Sequence, residues 1–317
     1  MIPAREFSID VRVPASTANL GAGFDCLGLA LEMYLDVRAT VVSGPGARAI
    51  ARSRGVGGSA ALPSAPEENL IFRAMHYTAR RQGSCLPPVR LAVQNNIPMA
   101  SGLGSSAAAT VAGVVLAFVL ADCPVDKDAA LEYAAEVEGH TDNVAASLLG
   151  GLVVTVRRAG GAVTAVRRRW PKMIRIVAVT PQFSLETKDS RAVLPKTVPL
   201  SDAVHNVQRA ALLVAALEER RYDLLWDALE DRLHQTYRQA VIPGLDDVLA
   251  LPRMPGLLGI ALSGAGPSVV ALATDRFDLI GGEIMSRFER HGLRASFQTL
   301  EASQEGFSTL EKHLRRP

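Results

Sequence analysis

Pro98-Met99-Ala100-Ser101-Gly102-Leu103-Gly104-Ser105-Ser106-Ala107-Ala108 is the stretch on which the fold turns. Before it, residues 88–95 (PVRLAVQN) alternate apolar and polar, and after it residues 104–121 are Ala, Val and Leu on nearly all sides. A half-buried strand, a glycine loop and a fully buried helix therefore follow one another. The free amides and the macrodipole at the start of such a helix favour an anion. Gly102 and Gly104 let the backbone approach that anion, and the hydroxyls of Ser105 and Ser106 suit a phosphate oxygen or a Mg²⁺ ion. No lysine follows the second glycine, so this is not a Walker A loop.

Working upstream, residues 8–14 read as a half-buried strand closed by Pro14, and residues 29–42 as its partner. The loop between them holds Asn19 and Asp25 among glycines, a composition suited to facing a substrate. Residues 43–66, rich in Gly, Ser, Ala and Pro, read as a surface connection. Residues 68–82 gather Leu70, Ile71, Met75, Tyr77 and Thr78 near one helical face.

Downstream, Asp126 is placed to cap a helix over 126–138, and Asp142 a short one stopped by Gly150 and Gly151. Between them Glu136-Val137-Glu138-Gly139-His140-Thr141-Asp142-Asn143 offers carboxylates of the kind Mg²⁺ prefers. Strands at 151–157 and 162–168 form a hairpin, and 174–180 is the next strand. Beyond a domain change near residue 170, helices at 187–193, 201–219, 222–234 and 278–291 alternate with strands at 257–262, 267–273 and 294–299. That pattern predicts helices over an antiparallel sheet. The turn Leu262-Ser-Gly-Ala-Gly-Pro-Ser268 is either structural or pressed against a ligand. Arg191, four residues after Thr187, and Arg238, six after Arg232, provide guanidinium groups that fit a carboxylate.

The 317 residues, with 48% apolar and a net charge of +2, bound the chain as a globular protein of about two domains. There is no apolar leader and no run of about 18 apolar residues, and Cys26, Cys85 and Cys123 form no CxxC pair, so a reducing cytoplasm is expected. Basic residues are scattered, which argues against nucleic acid as a partner. Two local runs, Arg157, Arg158 and Arg167–Arg169 on the hairpin and His313-Leu314-Arg315-Arg316 at the end, read as a solvated rim and a frayed tail.

PASTANLGAGFDCLG (14–28), PMASGLGSSAA (98–108) and SGAGPS (263–268) occur together and in this order. The combination resembles the GHMP kinases. EGHTDNVA, ETKDSRAVLP and DRLHQTYR resemble the branch of that family acting on L-homoserine. The resemblance implies an α+β fold in two domains, residues 1–170 like ribosomal protein S5 domain 2 and residues 171–317 a ferredoxin-like sandwich. It implies ATP and Mg²⁺ as cofactors, with Pro98 to Ala108 around the triphosphate and Ser106 with Glu136 on the metal, although spacing alone does not choose between Glu136 and Glu138. Asn19, Asp25, His140, Asn143, Arg191, Arg238 and Gly264 are implied around homoserine, with Asn19, Asn143 and Thr187 nearest the reacting hydroxyl. Asn143 stands where the mevalonate- and sugar-type members are expected to carry an aspartate, and an amide cannot act as their general base. Those kinases, or a relative that binds ATP without turnover, are the alternatives. The sequence does not fix the oligomeric state, and a homodimer is compatible with it.

Overall fold

The computed structural model describes residues 7–42, 50–55, 63 and 65–314. Its first sheet is built on one long strand. β2 (Leu27–Val41) follows β1 (Phe7–Ala18) and pairs with it along nearly its whole length. β1 does not end at Pro14, as expected. The pairing shifts register between Pro14 and Ala15, and the bulge accommodates a residue with no N–H to give. The second half of β2 pairs with β4 (Val89–Asn95), while its first residues, Leu27–Leu29, pair with β5 (Leu152–Arg157). β6 (Val163–Arg168) completes the expected hairpin with β5.

Two strands escaped the sequence. β3 (Ile50–Gly55) lies parallel to β4, inside the stretch expected to be a surface connection, most of which falls outside the described residues. β11 (Ser308–Leu314) pairs antiparallel with β1, where a frayed tail was expected; Arg315 and Arg316 fall outside the described residues. The sheet order is thus β11-β1-β2-β4-β3, with β5 and β6 branching from β2.

α1 (Leu70–Gln82), α2 (Ser105–Leu120), α3 (Lys127–Glu138) and α4 (Asp142–Leu149) pack on this sheet and on each other. α2 is the buried centre. Every residue from Ala107 to Phe118 is shielded from water. At Gly113 a Cβ would stand 2.3 Å from the Ile71 carbonyl, so the α1–α2 crossing needs the missing side chain. Asp126 caps α3 as expected, accepting from the Asp128 and Ala129 amides. Asp142 does not precede α4; it is the first helical residue, and Thr141 holds the cap position.

The second sheet, β10 (Ala295–Leu300), β7 (Arg175–Pro181), β9 (Val269–Ala273) and β8 (Leu257–Leu262), is antiparallel throughout, as expected. Its strands send alternate residues to two cores. Val177, Val179, Val269 and Ala271 meet α9 (Leu245–Leu249) and α10 (Phe277–Arg290), whereas Ile176, Ala178, Val270 and Leu272 join the large core beneath the first sheet. α5 (Thr187–Ala192) and α6 (Leu200–Glu218) lie between β7 and β8 in the chain. The helix expected at 222–234 is broken. A 3₁₀ turn (Tyr222–Leu224) leads to α7 (Leu225–Ala228), after which the Asp231 carboxylate gathers the amides of Leu233, His234 and Gln235 and starts α8 (Gln235–Arg238). Among the described residues no helix is long and apolar enough to cross a membrane.

Candidate active site

The start of α2 opens onto a cleft. One wall is the glycine loop, and the other comes from the 19–25 loop, the segment between α3 and α4, α5, α8 and the turn after β8. Of the predicted loop, Pro98, Ala100, Ser101, Gly102, Gly104, Ser105, Ser106 and Ala107 line the cleft. Leu103 and Ala108 instead point into the core, and Met99 stands 38% exposed outside the lining.

The two glycines have a second cause beyond approach to an anion. Gly102 has φ +84°, and a Cβ there would stand 2.2 Å from the Ser263 carbonyl. Gly104 has φ +73°, and its Cβ would meet Ser16 Oγ at 2.2 Å. The loop is therefore clamped between β1 and the Ser263–Ser268 turn. Ser263 Oγ donates to the Gly102 carbonyl (2.7 Å) and lies within hydrogen-bond distance of Thr17 Oγ1 (2.8 Å), and the Ser268 amide donates to the Ser101 carbonyl (3.0 Å). The turn is structural and at the same time forms part of the wall.

Asn19 is buried and in the left-handed region at φ +73°. Its Nδ2 donates to the Gly264 carbonyl (2.9 Å) and its Oδ1 accepts from the Asp25 amide (3.1 Å). It thus ties the 19–25 loop to the Gly264 turn. Asn19, Leu20, Asp25 and Ala100 all hold positive φ, conformations that cost non-glycine residues about 1–2 kcal/mol and persist where the surroundings dictate them. Asn143 Oδ1 accepts from Ser16 Oγ (3.0 Å), placing its amide at the foot of the glycine loop.

Asp25 and Arg191 are both implied around homoserine. The structure pairs them with each other: Arg191 Nη1 and Nη2 donate to the two Asp25 oxygens at 3.1 and 2.6 Å. Arg238 is different. It is 1% exposed, donates to the Gly264 carbonyl and His234 Nδ1 at 2.9 Å, and has no carboxylate within ion-pair distance among the described residues. Burial, helped by the Arg191 charge, pushes its pKa down to about 10. A buried cation facing a cleft without an acid partner calls for an anion there.

His234 accepts from Arg238 through Nδ1 and donates through Nε2 to the Gly21 carbonyl (2.9 Å), so it is neutral. Burial holds its pKa below the usual value. Phe24 stacks on His234 at 5.2 Å and carries the Arg191 and Arg238 guanidiniums over its ring at 5.7 and 5.6 Å. His140 behaves oppositely. Burial opposes its charge, but the hydrogen bond to Asp142 (3.0 Å) and the fields of Asp142 and Glu138 outweigh that and raise its pKa.

Glu136, the expected metal ligand, is not in the cleft. It faces the α1 side, where Tyr77 and Arg81 donate to it. Glu138 lines the cleft, nearly buried, accepting from Thr110 Oγ1 (2.9 Å) and lying 3.7 Å from His140 Nε2. Two residues apart on a helix means about 200° apart around it, so only one of the pair can point inward. Thr187 lines the mouth, at the start of α5.

Residues 69–151 match the GHMP kinases N terminal domain, and residues 213–280 match the GHMP kinases C terminal domain. A homoserine kinase of Solibacter usitatus is 42% identical over 94% of this chain and 95% of its own length. One from Deinococcus radiodurans is 44% identical over 86% of each chain. The crystal structure of a homoserine kinase from Cytophaga hutchinsonii superposes with a TM-score of 0.83 at 30% identity, covering 96% of this chain and 97% of that one. The chain belongs to the homoserine kinases of the GHMP family. The two sheets are the two-domain fold of that family.

Within this homoserine kinase framework, three cleft features were missed by sequence reasoning. Asp142, which the sequence places as a helix cap, is buried in the lining, holding His140 and the Asn143 amide. Its spacing of two from His140 was the available signal. Phe24 and His234, which carry the arginines, had no signal short of knowing that residues 19–25 meet α8.

Proposed function

We propose that the protein transfers the γ-phosphoryl group of ATP to the side-chain hydroxyl of L-homoserine, giving ADP and O-phospho-L-homoserine. The observation that carries the reading is the cleft's division of labour: an anion-binding glycine loop at the start of α2 faces a buried, carboxylate-free Arg238. A phosphate chain fits the first wall, and an amino acid's carboxylate fits the second.

On this reading the loop amides from Gly102 to Ser106 hold the β- and γ-phosphates. Glu138 and the Ser106 hydroxyl suit Mg²⁺, which takes a few protein oxygens and leaves the rest of its shell to phosphate and water. When bound, the ion neutralises charge developing on the phosphoryl oxygens. Arg238, backed by His234, takes the homoserine carboxylate, and Asp25 turns from Arg191 towards the ammonium group. Asn143, fixed by Ser16, orients the hydroxyl without accepting its proton. His140, hydrogen-bonded to Asp142, lines the cleft as a binding group rather than as the base. Phosphoryl transfer through a loose transition state asks mainly for such alignment. Three free thiols, two of them exposed, suit a reducing cytoplasm.

The test is initial-rate ADP release with L-homoserine, mevalonate, galactose, shikimate and no acceptor. Homoserine should exceed every other condition by at least about a hundred-fold, as when matched polar groups select a substrate. Equal release without an acceptor, or faster release with mevalonate or galactose, would sink the proposal.

A further inference from the structure

Arg238 gives most of its donors to the protein itself. A guanidinium has five N–H groups and no acceptor, so every bond it makes to the chain is a donor withdrawn from the cleft. Both Nη1 protons are engaged, one by His234 Nδ1 and one by the Gly264 carbonyl, and Nε lies 3.4 Å from the Ser190 carbonyl. Nη2 alone has no hydrogen-bond partner among the described residues.

The direction of the His234 bonds follows from the same rule. Arginine cannot accept, so Nδ1 is bare, the ring proton sits on Nε2, and Nε2 donates to the Gly21 carbonyl. That anchor is firmly seated, because a Cβ on Gly21 would stand 2.1 Å from the Leu229 carbonyl. Asp231 is no rival acceptor: its Oδ2 lies 3.7 Å from Nε2 and takes the His234 and Gln235 amides. His234 is fully buried and outside the cleft lining, so it reaches a substrate only through Arg238.

We propose that His234 is a positioning residue: by tying Nη1 of Arg238 to the backbone of the 19–25 loop, it aims Nη2 at the homoserine carboxylate, a step that rests on the proposed function. Only the neutral ring can do this. A proton on Nδ1 would set donor against donor and a second cation beside Arg238. The charges around the ring are Arg238 on α8, Asp231 before it and Asp25 on the loop, while Arg191 of α5 shares its Phe24 neighbour. The carboxylates favour protonation, burial and Arg238 oppose it, and burial prevails. Affinity for homoserine should therefore fall on the acid side, and affinity for ATP should not.

The test measures KM for homoserine and for ATP from about pH 5 to 8 in the parent, His234→Asn and His234→Gln. The asparagine oxygen stands in for Nδ1 and keeps the acceptor for Arg238, whereas the glutamine nitrogen stands in for Nε2 and keeps only the donor to Gly21. Near pH 7.5 the KM for homoserine should stay within about three-fold of the parent in His234→Asn. In His234→Gln it should rise about ten-fold or more, the loss of one charge-assisted bond, with KM for ATP within about two-fold in both. Towards pH 5 the parent's KM for homoserine should climb at least about three-fold relative to that of His234→Asn, which leaves His140 to titrate as before. Asparagine no better than glutamine, equal rises for both substrates, or an acid limb as steep in His234→Asn as in the parent would each overturn the inference alone. Should neither variant fold, the profile is read in His140→Asn, where a KM for homoserine that is flat down to about pH 5 overturns it and a rise confined to homoserine supports it. A parent that does not phosphorylate homoserine overturns the proposed function and this inference together.

Discussion

The two walls of the cleft are made of different materials. The glycine-loop wall is backbone and hydroxyl, held by close approach: Gly102 against Ser263 and Gly104 against Ser16 leave no room for a methyl group. The opposite wall is charge held by charge and ring, with Arg238 on His234, both guanidiniums over Phe24, and Arg191 on Asp25. A wall made of shape fails abruptly when a side chain is added. A wall made of charge fails by degrees, according to how deeply each charge is buried.

The sharpest way to break that contrast is Gly102→Ala. A methyl group at φ +84° and 2.2 Å from a carbonyl oxygen forces the loop from its clamp, and kcat/KM for homoserine should fall at least about a thousand-fold, about 4 kcal/mol, with Tm lowered as well. Activity within ten-fold of the parent would show that the loop is pliable.

At the end of α3, on the opposite wall and acting through charge, Glu138→Gln should cut kcat by about a hundred-fold and steepen the Mg²⁺ requirement, whereas Glu136→Gln should change kcat less than about two-fold, as exposed ion pairs contribute little. Titrating Mg²⁺ in both variants checks this, and the reverse ranking would return the metal to the α1 side. Ser106→Ala should lie between them, about ten- to a hundred-fold down in kcat.

Across the cleft, Arg238→Met should raise the KM for homoserine by about thirty- to a hundred-fold with the KM for ATP little changed, and Arg191→Met by about three- to ten-fold. Arg191 ranks lower because its pair is partly open to water: its side chain is 38% exposed, against 1% for the whole of Arg238. Equal effects on both substrates would make these arginines phosphate-facing.

The smallest expected effect separates two histidines by sign. His234 is held neutral, with its folded pKa depressed, so its contribution to stability is present above its unfolded value of about 6.5 and is lost as pH falls through that range. His140 has its folded pKa raised, so its contribution is complete below about 6.5 and is lost as pH rises through the folded value. Denaturant midpoints across pH 5 to 8 should therefore fall on the acid side less steeply in His234→Asn, and on the alkaline side less steeply in His140→Asn. Parallel curves for both variants and the parent would remove both assignments.

How much of this was legible in the sequence follows from how local each cause is. The strand–glycine loop–helix unit is written in eleven consecutive residues, and it stands where it was expected. β4, α2, α3 and the β5–β6 hairpin announce themselves by period and by their stops. β3 was hidden because six residues, IARSRG, lie within a Gly- and Ser-rich stretch whose composition suggests a loop. The break before α8 was hidden because Asp231 looks like one more polar residue on a helix until its carboxylate is seen gathering three amides. The inward choice of Glu138 over Glu136 depends on the rotation of α3 against α2, which neither residue encodes. The Asp25–Arg191 pair joins residues 166 positions apart, and only the folded chain brings them together.

The place of β11 beside β1 has a consequence in time. A ribosome makes β1 before the other described strands and β11 only after the whole second sheet has been made. Until residue 314 has cleared the exit tunnel, the outer edge of β1 waits with its ladder of amides and carbonyls unmatched, an invitation to the wrong strand. The first sheet, whose glycine loop is proposed to hold the phosphates, is thus begun early and sealed late, and a nascent chain stalled anywhere between is one that a chaperone has reason to hold.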